Sequence, residues 1–265
     1  MYFCKIKATK YLKNLLMDIA LRDRFIDQWK KYFGNKELPI AFYFSDHAEG
    51  IETPAPSKEW NCLICELSKV FKGKSLAFNN DTILCNGAKR YLGYNTDIGP
   101  NFRYFLSHGI EGKVRGEKYK RTPEIVDQTQ KHLVKLPSDG KYAIFKKLDK
   151  LTEDDNPEVV IFFANPEVLS GLFTLANFDQ VDTQGVITHF SAGCGSIIHY
   201  PYLENRKENP KCVLGMFDPS ARPCVPINSL SFSIPFKRFQ EIAGYMEETF
   251  LTTPTWNKVM KRFKD

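Results

Sequence analysis

The chain has 265 residues, of which 43% are hydrophobic and 26% charged, as in an ordinary globular protein with a substantial core. No apolar run approaches the roughly 20 residues that cross a bilayer, and the first residues lack the apolar stretch of a signal peptide, so we expect a cytoplasmic protein without membrane contact. The net charge of +6 is mild and its scattered lysines accompany no nucleic-acid-binding motif, which argues against a nucleic-acid partner.

The predicted elements follow from hydrophobic periodicity along the chain. Residues 5–33 show helical spacing, with Ile19, Ile26 and Trp29 on the buried side. Continuous apolar runs at 40–44 and 159–163 predict strands, and because neither run alternates, each strand should lie inside a sheet and be buried on both faces. Shorter strands are predicted at 75–78, 142–148, 186–190, 212–217 and 230–234, and helix starts at Ser57, Thr122, Asn165, Ser191 and Pro235.

These elements predict one compact α/β or α+β unit. It comprises an N-terminal helical segment (1–38), a cysteine-containing core (39–236) and C-terminal helices (237–265). A weak internal repeat runs through the core, because strand, cysteine, strand, aspartate and cysteine occur in the same order in both halves. A duplicated strand–helix–strand unit and a chance order both explain this pattern. The repeated cysteines and aspartates are Cys62, Asp81 and Cys85 in the first half, and Cys194, Asp218 and Cys224 in the second.

The seven cysteines are the most informative residues. In a reducing compartment, a group of thiols indicates metal or redox chemistry before structural disulfides. Cys62 and Cys65 form a C-x2-C pair at the helix start that Ser57 is expected to cap, where free N–H groups and the helix dipole favour the thiolate. Cys85 follows a turn over residues 79–81 and opens another short helix. The three cysteines therefore stand at element ends, where their side chains can converge.

These thiols predict a metal site, since four thiolates in a reducing compartment suit zinc or an iron–sulfur cluster. Structural zinc sites usually draw on two close cysteine pairs, and the single pair here favours a cluster. We therefore interpret the chain as an iron–sulfur protein with a redox or cofactor-handling role and a small-molecule or redox partner. Zinc, or thiols that only pack in the core, are the alternatives. The predicted ligands are Cys62, Cys65, Cys85 and Cys194, with Cys212 and Cys224 as alternatives for the fourth position.

Cys194 lies between two glycines, which let a ligand approach the backbone closely, and a helix start there suits an anion. It is also a candidate catalytic nucleophile with His189 or His199 as base, although a tight helix start that needs small residues explains the same motif. The chain has no Walker A, G-x-G-x-x-G, H-E-x-x-H or G-x-S-x-G motif, which argues against the common NTPase, dinucleotide, metalloprotease and hydrolase classes. Three classes stay open: an iron–sulfur protein, a cysteine-dependent enzyme, and a metal-free protein that binds an anion or small molecule. The oligomeric state is also open.

Several of these positions carry a family resemblance. Cys62 at a helix start, the Cys-Asn-Gly-Ala run with a later Leu-Gly, and the Ala-Gly-Cys motif resemble domain-of-unknown-function family 169 over residues 39–236. That family is described as archaeal and bacterial and as cysteine-containing. The resemblance implies no reaction, because the family is uncharacterised. The positions that it matches are Cys62, Cys85, Gly87, Ala88, Gly93 and Cys194.

Overall fold

The structure is a computed structural model that describes residues 17–55, 61–83, 85–95, 97, 99–136 and 139–264. Within these residues, seven strands form one mixed sheet in the order β2-β3-β1-β4-β7-β6-β5. Neighbouring strands run antiparallel, except for the parallel pair β5–β6. The protein is therefore a single α+β domain. The strands are β1 Ile40–Ser45, β2 Leu76–Phe78, β3 Tyr142–Lys147, β4 Val159–Ala164, β5 Val186–Thr188, β6 Cys212–Gly215 and β7 Leu230–Pro235.

Helices cover both faces of this sheet. A π-helical segment, Gly195–His199, leads directly into α7. Thr122 and Asn165 cap α5 and α6 by accepting backbone N–H groups, with proline at the first helical position, as the sequence predicts. In the described part of the chain the α-helices are α1 Ile19–Phe33, α2 Leu63–Phe71, α3 Asn86–Tyr91, α4 Phe102–Phe105, α5 Pro123–His132, α6 Pro166–Asn177, α7 Tyr200–Glu204, α8 Phe236–Tyr245 and α9 Pro254–Met260.

The prediction that β1 and β4 are central strands is confirmed. They pair with each other at the middle of the sheet and are buried along almost their whole length. Alternate side chains enter opposite cores: Phe42 packs on one face of the sheet and Tyr43 on the other. The strands are antiparallel, so their continuous apolar runs reflect helices on both faces and not a parallel sheet.

One side of the sheet, covered by α1, α6, α8 and α9, is called here the aromatic face. Its core is rich in large rings, with Trp29 stacked on Phe33 at 4.2 Å between ring centroids. The Trp256 indole N–H donates to the Tyr32 carbonyl over 2.9 Å, so α9 is fixed to α1. Cys212 of β6 is fully buried in this core. The charged groups buried on this face are paired: Arg238 of α8 with Asp179, and Asp155 with Lys146.

The opposite side is called the cysteine face and is covered by α2, α3, the π-helical segment and α7. Leu67, Ala88 and Ile197 belong to the core on this face. The strand side chains in the same core are Ile40, Phe42 and Phe44 of β1 and Val159 and Ile161 of β4. Residues 99–136, called the insert, contain α4 and α5 and lie between α3 and β3. This face therefore has a second layer that the aromatic face lacks.

Apart from the edge strand β5, which has no counterpart, the strand order is symmetric about the β1–β4 pair. β3 lies beside β1 as β7 lies beside β4, and β2 follows β3 as β6 follows β7. Cys62 caps the helix that leads to β2, and Cys194 caps the π-helical segment that precedes β6, both on the cysteine face. A duplicated strand–helix–strand unit predicts this arrangement. The insert has no counterpart in the second half, where only residues 225–229 separate Cys224 from β7.

The predicted buried side of the N-terminal helix packs on the aromatic face. Trp29 is buried there and Ile19 and Ile26 are partly buried against the same core, to which Phe25, Tyr32 and Phe33 also belong. Rings of this size dominate burial on the aromatic face. The prediction that Ser57 caps the helix of the C-x2-C pair is wrong, because α2 begins at Leu63 with Cys62 at its N-cap; Ser57 itself lies outside the described residues. Residues 5–16 of the predicted N-terminal helix also lie outside the described residues. Among the helices that are described, none has the length and apolarity to cross a bilayer.

Candidate cysteine site

Three sulfur atoms meet where the two halves of the sheet join. Cys62 is the N-cap of α2, and its carbonyl accepts the Cys65 N–H over 3.0 Å, so the C-x2-C pair sits in the first turn. Cys224 ends a short 3-10 turn after β6. The Sγ atoms of Cys62, Cys65 and Cys224 all lie within 4.8 Å of one another. Residues 159 positions apart in the sequence thus contribute to one site.

The site contains a disulfide between Cys65 and Cys224. The expectation of reduced thiols is therefore wrong for this pair, and Cys224, predicted only as an alternative ligand, is the residue that joins the C-x2-C pair. A tetrahedral centre with metal–sulfur bonds of about 2.3 Å places its ligand sulfurs about 3.8 Å apart, so Cys65 and Cys224 must open their disulfide and move apart before the three sulfurs can bind one metal. Ligation requires thiolates, and the disulfide and the metal are therefore mutually exclusive states of these sulfurs.

Cys85 and Cys194 belong to the same neighbourhood. Cys85 is the N-cap of α3, Cys194 is the N-cap of the π-helical segment, and both line one cleft with Cys62. Cys212 does not take part, because it is buried on the aromatic face. Four elements thus bring five of the cysteines to the cysteine face.

Burial keeps two of these thiols protonated. It raises the pKa of Cys194 well above its usual value, and the charges of Cys85 and Cys62 act in the same direction. It also raises the pKa of Cys62, even though the N–H groups of Ile64 and Cys65 oppose the shift. The helix-start effect that was predicted to favour the thiolate is therefore outweighed by desolvation. A bound cation would reverse this balance, because it stabilises thiolates directly.

Asp218 fixes the loop that carries Cys194. Its Oδ2 accepts the Gly193 N–H over 3.1 Å, while Oδ1 accepts the Ser220 N–H and hydroxyl over 3.0 and 2.7 Å. A second contact runs through Ser196, whose Oγ donates to the Gly193 carbonyl over 2.9 Å and accepts the Met216 N–H over 3.2 Å. In the sequence Asp218 is a member of the repeat. Its binding to the Cys194 loop, which depends on tertiary contacts, was missed.

The Cys194 loop also approaches α2 very closely at Gly193. A Cβ atom there would lie 3.2 Å from both Ile64 Cγ1 and Met216 Sδ, and 3.0 Å from Ala221 Cβ. Met216 itself has a positive φ of 69°, a strained conformation for a long side chain. The predicted need for glycine beside Cys194 therefore reflects packing between the two halves.

The predicted histidine partners do not bond to Cys194. His199 is buried between Tyr91 and Tyr200, and neither of its ring nitrogens has a hydrogen-bond partner in the described part of the chain. Burial lowers the pKa of His199 to about 4. His189 stacks on Tyr200 at 3.9 Å between ring centroids. The site thus lacks the contact between base and nucleophile that activates a catalytic cysteine.

A cleft of about 980 Å³ opens beside the thiols. Cys62, Cys85 and Cys194 are part of its lining, together with residues of α4 and α5 of the insert. Asp218 and Ser220 also line the cleft, so the loop that holds Cys194 belongs to its surface. The cysteines are therefore accessible from a space large enough for a small organic molecule.

A family comparison covers the whole of this site. The model of domain-of-unknown-function family 169, described as an uncharacterised ArCR family, matches residues 29–244. The chain belongs to this family. The match runs from α1 into α8 and so contains the whole sheet, the insert and all five cysteines of the cysteine face. No curated protein and no solved structure matches the chain. The family description names no reaction, so the function has to be inferred from the cysteine site.

Proposed function

We propose that this member of family 169 is a cysteine-ligated iron–sulfur protein with a redox or cofactor-handling role. One observation carries the proposal: the Sγ atoms of Cys62, Cys65 and Cys224 lie within 4.8 Å of one another, although they come from both halves of the sheet. Thiolates are the ligands of iron–sulfur clusters. Cys62 and Cys224 are half-buried and Cys65 is exposed, so this group of sulfurs is open to metal entry and to redox partners.

The number and spread of the thiols support a cluster over a single zinc ion. Zinc takes four ligands in structural sites, whereas five cysteines surround this site. Cys85 and Cys194 lie outside the closest group of three, and either is available as a further ligand to a centre larger than one ion. The shell is apolar, with Ile64, Ile197 and Met216 in the same core. Such a shell limits solvent access to a bound centre.

A bound cluster would supply one-electron transfer. The protein's own part is to present the thiolates and to change the state of the Cys65–Cys224 pair. Reducing that disulfide consumes two electrons and two protons and yields two thiols. Both thiols must then lose their protons to bind metal. Loading of the centre is therefore coupled to reduction of the protein.

Anaerobic reconstitution tests this proposal. Full-length protein is reduced with dithiothreitol, incubated with iron and sulfide, and analysed for both elements after desalting. We expect wild type and Cys212→Ala to bind equal amounts, because Cys212 lies on the other face. Cys62→Ser should retain less than about a tenth of that content, since it removes a sulfur from the closest group. Equal, sub-stoichiometric iron in all three proteins would contradict the proposal.

Thiol–disulfide exchange is the second candidate function, and the position of Cys62 favours it. Its sulfur lies within 4.8 Å of both disulfide sulfurs. As a thiolate, Cys62 would attack Cys65, the Cys65–Cys224 bond would break, and the Cys224 thiolate would take up the proton that Cys62 released. The product is a Cys62–Cys65 disulfide within the C-x2-C motif.

Differential alkylation of metal-free, unreduced protein distinguishes this candidate from the first. Exchange predicts a mixture of Cys65–Cys224 and Cys62–Cys65 disulfides in wild type. Cys62→Ser should hold Cys65–Cys224 alone. A single Cys65–Cys224 species in both proteins, at every pH up to 9, would exclude exchange.

A further inference from the structure

The cleft is much larger than the cysteine site requires. Its volume of about 980 Å³ lies at the upper end of the range for small-molecule pockets, about 300–1,000 Å³. The three free thiols form only part of its lining. Much of the remaining lining comes from the insert, which contributes no cysteine, and from residues 189–193 after β5. A second occupant therefore has room beside the thiols.

Aromatic rings are frequent in the lining of this cleft. His189 and Tyr200 stack at 3.9 Å with an interplanar angle of only 12°, and Tyr91 lines the same cleft. The insert contributes the further rings of Phe102, Phe105 and Tyr119. A lining rich in rings suits a flat conjugated ligand, because aromatic surfaces stack in offset or edge-on arrangements.

Two of the lining rings are left open to solvent. Phe105 is 42% exposed and Phe190 is 59% exposed. Exposed apolar rings inside one concave surface are typical of a ligand-binding groove. A ligand between them would remove apolar area from water, which is favourable.

The part of the cleft near Lys120 is suited to a negative charge. Lys120 Nζ lies 4.5 Å above the centroid of Phe190, and among the described carboxylates none forms an ion pair with it. The acidic groups near it are engaged or peripheral. Asp218 already accepts three hydrogen bonds, Glu117 pairs with Arg115 at 3.3 Å, and Asp97 is exposed. A cation that rests on a ring can pair with an anion without first breaking a salt bridge.

We propose that this cleft binds a planar, conjugated small molecule that carries an anionic substituent. The conjugated ring system lies between the insert and the His189–Tyr200 pair, and the anionic group meets Lys120. This binding does not depend on a metal at the cysteine site. A ligand in this position would lie beside Cys85 and Cys194, within reach of whatever chemistry the thiols perform.

Flavin probes test the proposal with full-length protein, reduced and free of metal. Flavin mononucleotide and riboflavin share one planar ring and differ by a phosphate, and decanoate is an anion without a ring. We expect micromolar dissociation constants for flavin mononucleotide, weaker binding of riboflavin and weaker binding still of decanoate. Quenching of flavin fluorescence measures flavin binding directly, and displacement of bound flavin measures decanoate binding. Absence of flavin binding at about 1 mM, or decanoate binding as tight as that of the flavins, would overturn the proposal.

Variants locate the binding. Phe190→Ala should raise the dissociation constants of both flavins at least about tenfold, because it removes a stacking surface. Lys120→Gln should raise the dissociation constant of flavin mononucleotide and leave that of riboflavin unchanged. The matched control is Phe173→Ala, which removes a ring of 46% exposure from α6 and should change neither constant. Equal binding by wild type and Phe190→Ala would overturn the assignment to this cleft. Because flavin binding is measured on metal-free protein and needs no cluster, failure here is distinguishable from failure of the iron–sulfur proposal.

Discussion

The two faces of the sheet are formed by the same strands, but one face is a closed core and the other supports a cleft with thiols. On the aromatic face, Trp29, Phe33 and Trp256 are almost fully buried and their rings contact one another directly. On the cysteine face, a comparable apolar core stops short of closure and leaves a cleft of about 980 Å³ beside the thiols. The difference teaches that a strand can stabilise the fold with every second side chain and leave the others to support a site.

The thiols sharpen this comparison. Cys212 and Cys194 are both buried, and burial raises the pKa of each; that of Cys212 reaches about 12. Only Cys194 has other cysteines near it. The same residue type thus serves packing on one face and stands within a group of sulfurs on the other. Substitutions on the two faces should therefore separate stability from metal binding.

The largest expected effect is on the aromatic face. Trp29→Ala should lower the free energy of unfolding by about 3–5 kcal/mol, because it leaves a cavity between Phe33 and Phe162. Iron and sulfide per folded molecule should stay unchanged after reconstitution. Urea denaturation measures the first quantity and elemental analysis of the folded fraction the second. Loss of iron from folded Trp29→Ala would show that the faces are not separable.

A pH effect of similar size is expected on the cysteine face. The folded-state pKa of His199 is about 4, below its ordinary 6.5, so folding favours the neutral ring. This contribution is complete above about pH 6.5 and is lost as the pH falls towards 4, in total on the order of 3 kcal/mol. His199→Phe should remove this loss, whereas His132→Phe, at an exposed position, should retain it. Parallel stability profiles for wild type and His199→Phe would contradict the expectation.

Gly193→Ala tests how closely the two halves must approach on the cysteine face. The added methyl group would press on Ile64, Met216 and Ala221, and should destabilise the protein by about 1–3 kcal/mol. It should also lower iron content, because it moves the Cys194 loop away from α2. The control is Gly244→Ala in α8, where a Cβ meets nothing within 4 Å and should stabilise the helix by up to about 1 kcal/mol. Similar stabilities of the two variants would refute the packing argument.

The smallest effect is expected from Cys212→Ala. It removes one sulfur atom from a closed core and should cost about 1 kcal/mol of stability. Cys194→Ala removes a sulfur of the same burial and should, in addition, reduce the iron and sulfide retained after reconstitution. Both are measured by denaturation and elemental analysis on the same samples. Identical metal content in the two variants would remove Cys194 from the site.

The sequence was most informative where a local pattern decides the structure. Unbroken apolar runs identified the central strands, and helix-start patterns placed Cys62 and Cys85 near the beginnings of helices, although the predicted cap was Ser57 and not Cys62. Family membership was also apparent from short motifs around these cysteines. Such features depend on a few neighbouring residues, so they can be predicted without knowledge of the tertiary fold.

What escaped prediction depends on distant contacts. The choice of Cys224 over Cys194 as the partner of the C-x2-C pair follows from the turn after β6, which Asp218 holds. The protonated state of Cys62 follows from desolvation by the opposite half, which outweighs a helix-start effect visible in the sequence. The cleft arises because the insert folds back over the cysteine face. None of these is encoded in spacing alone.

The disulfide has a consequence for the topology of the chain. The bond between Cys65 and Cys224 closes a covalent ring that contains β2, β3, β4, β5 and β6 and leaves β1 and β7 outside it. Closing a ring of 159 residues restricts the unfolded chain by about 5 kcal/mol in the chain-entropy description. A metal bound by the same sulfurs would close an equivalent loop through coordination bonds. In either state, Cys65 near the start of the core stays linked to Cys224 near its end. The loop therefore stays closed whether the link is a disulfide or a metal.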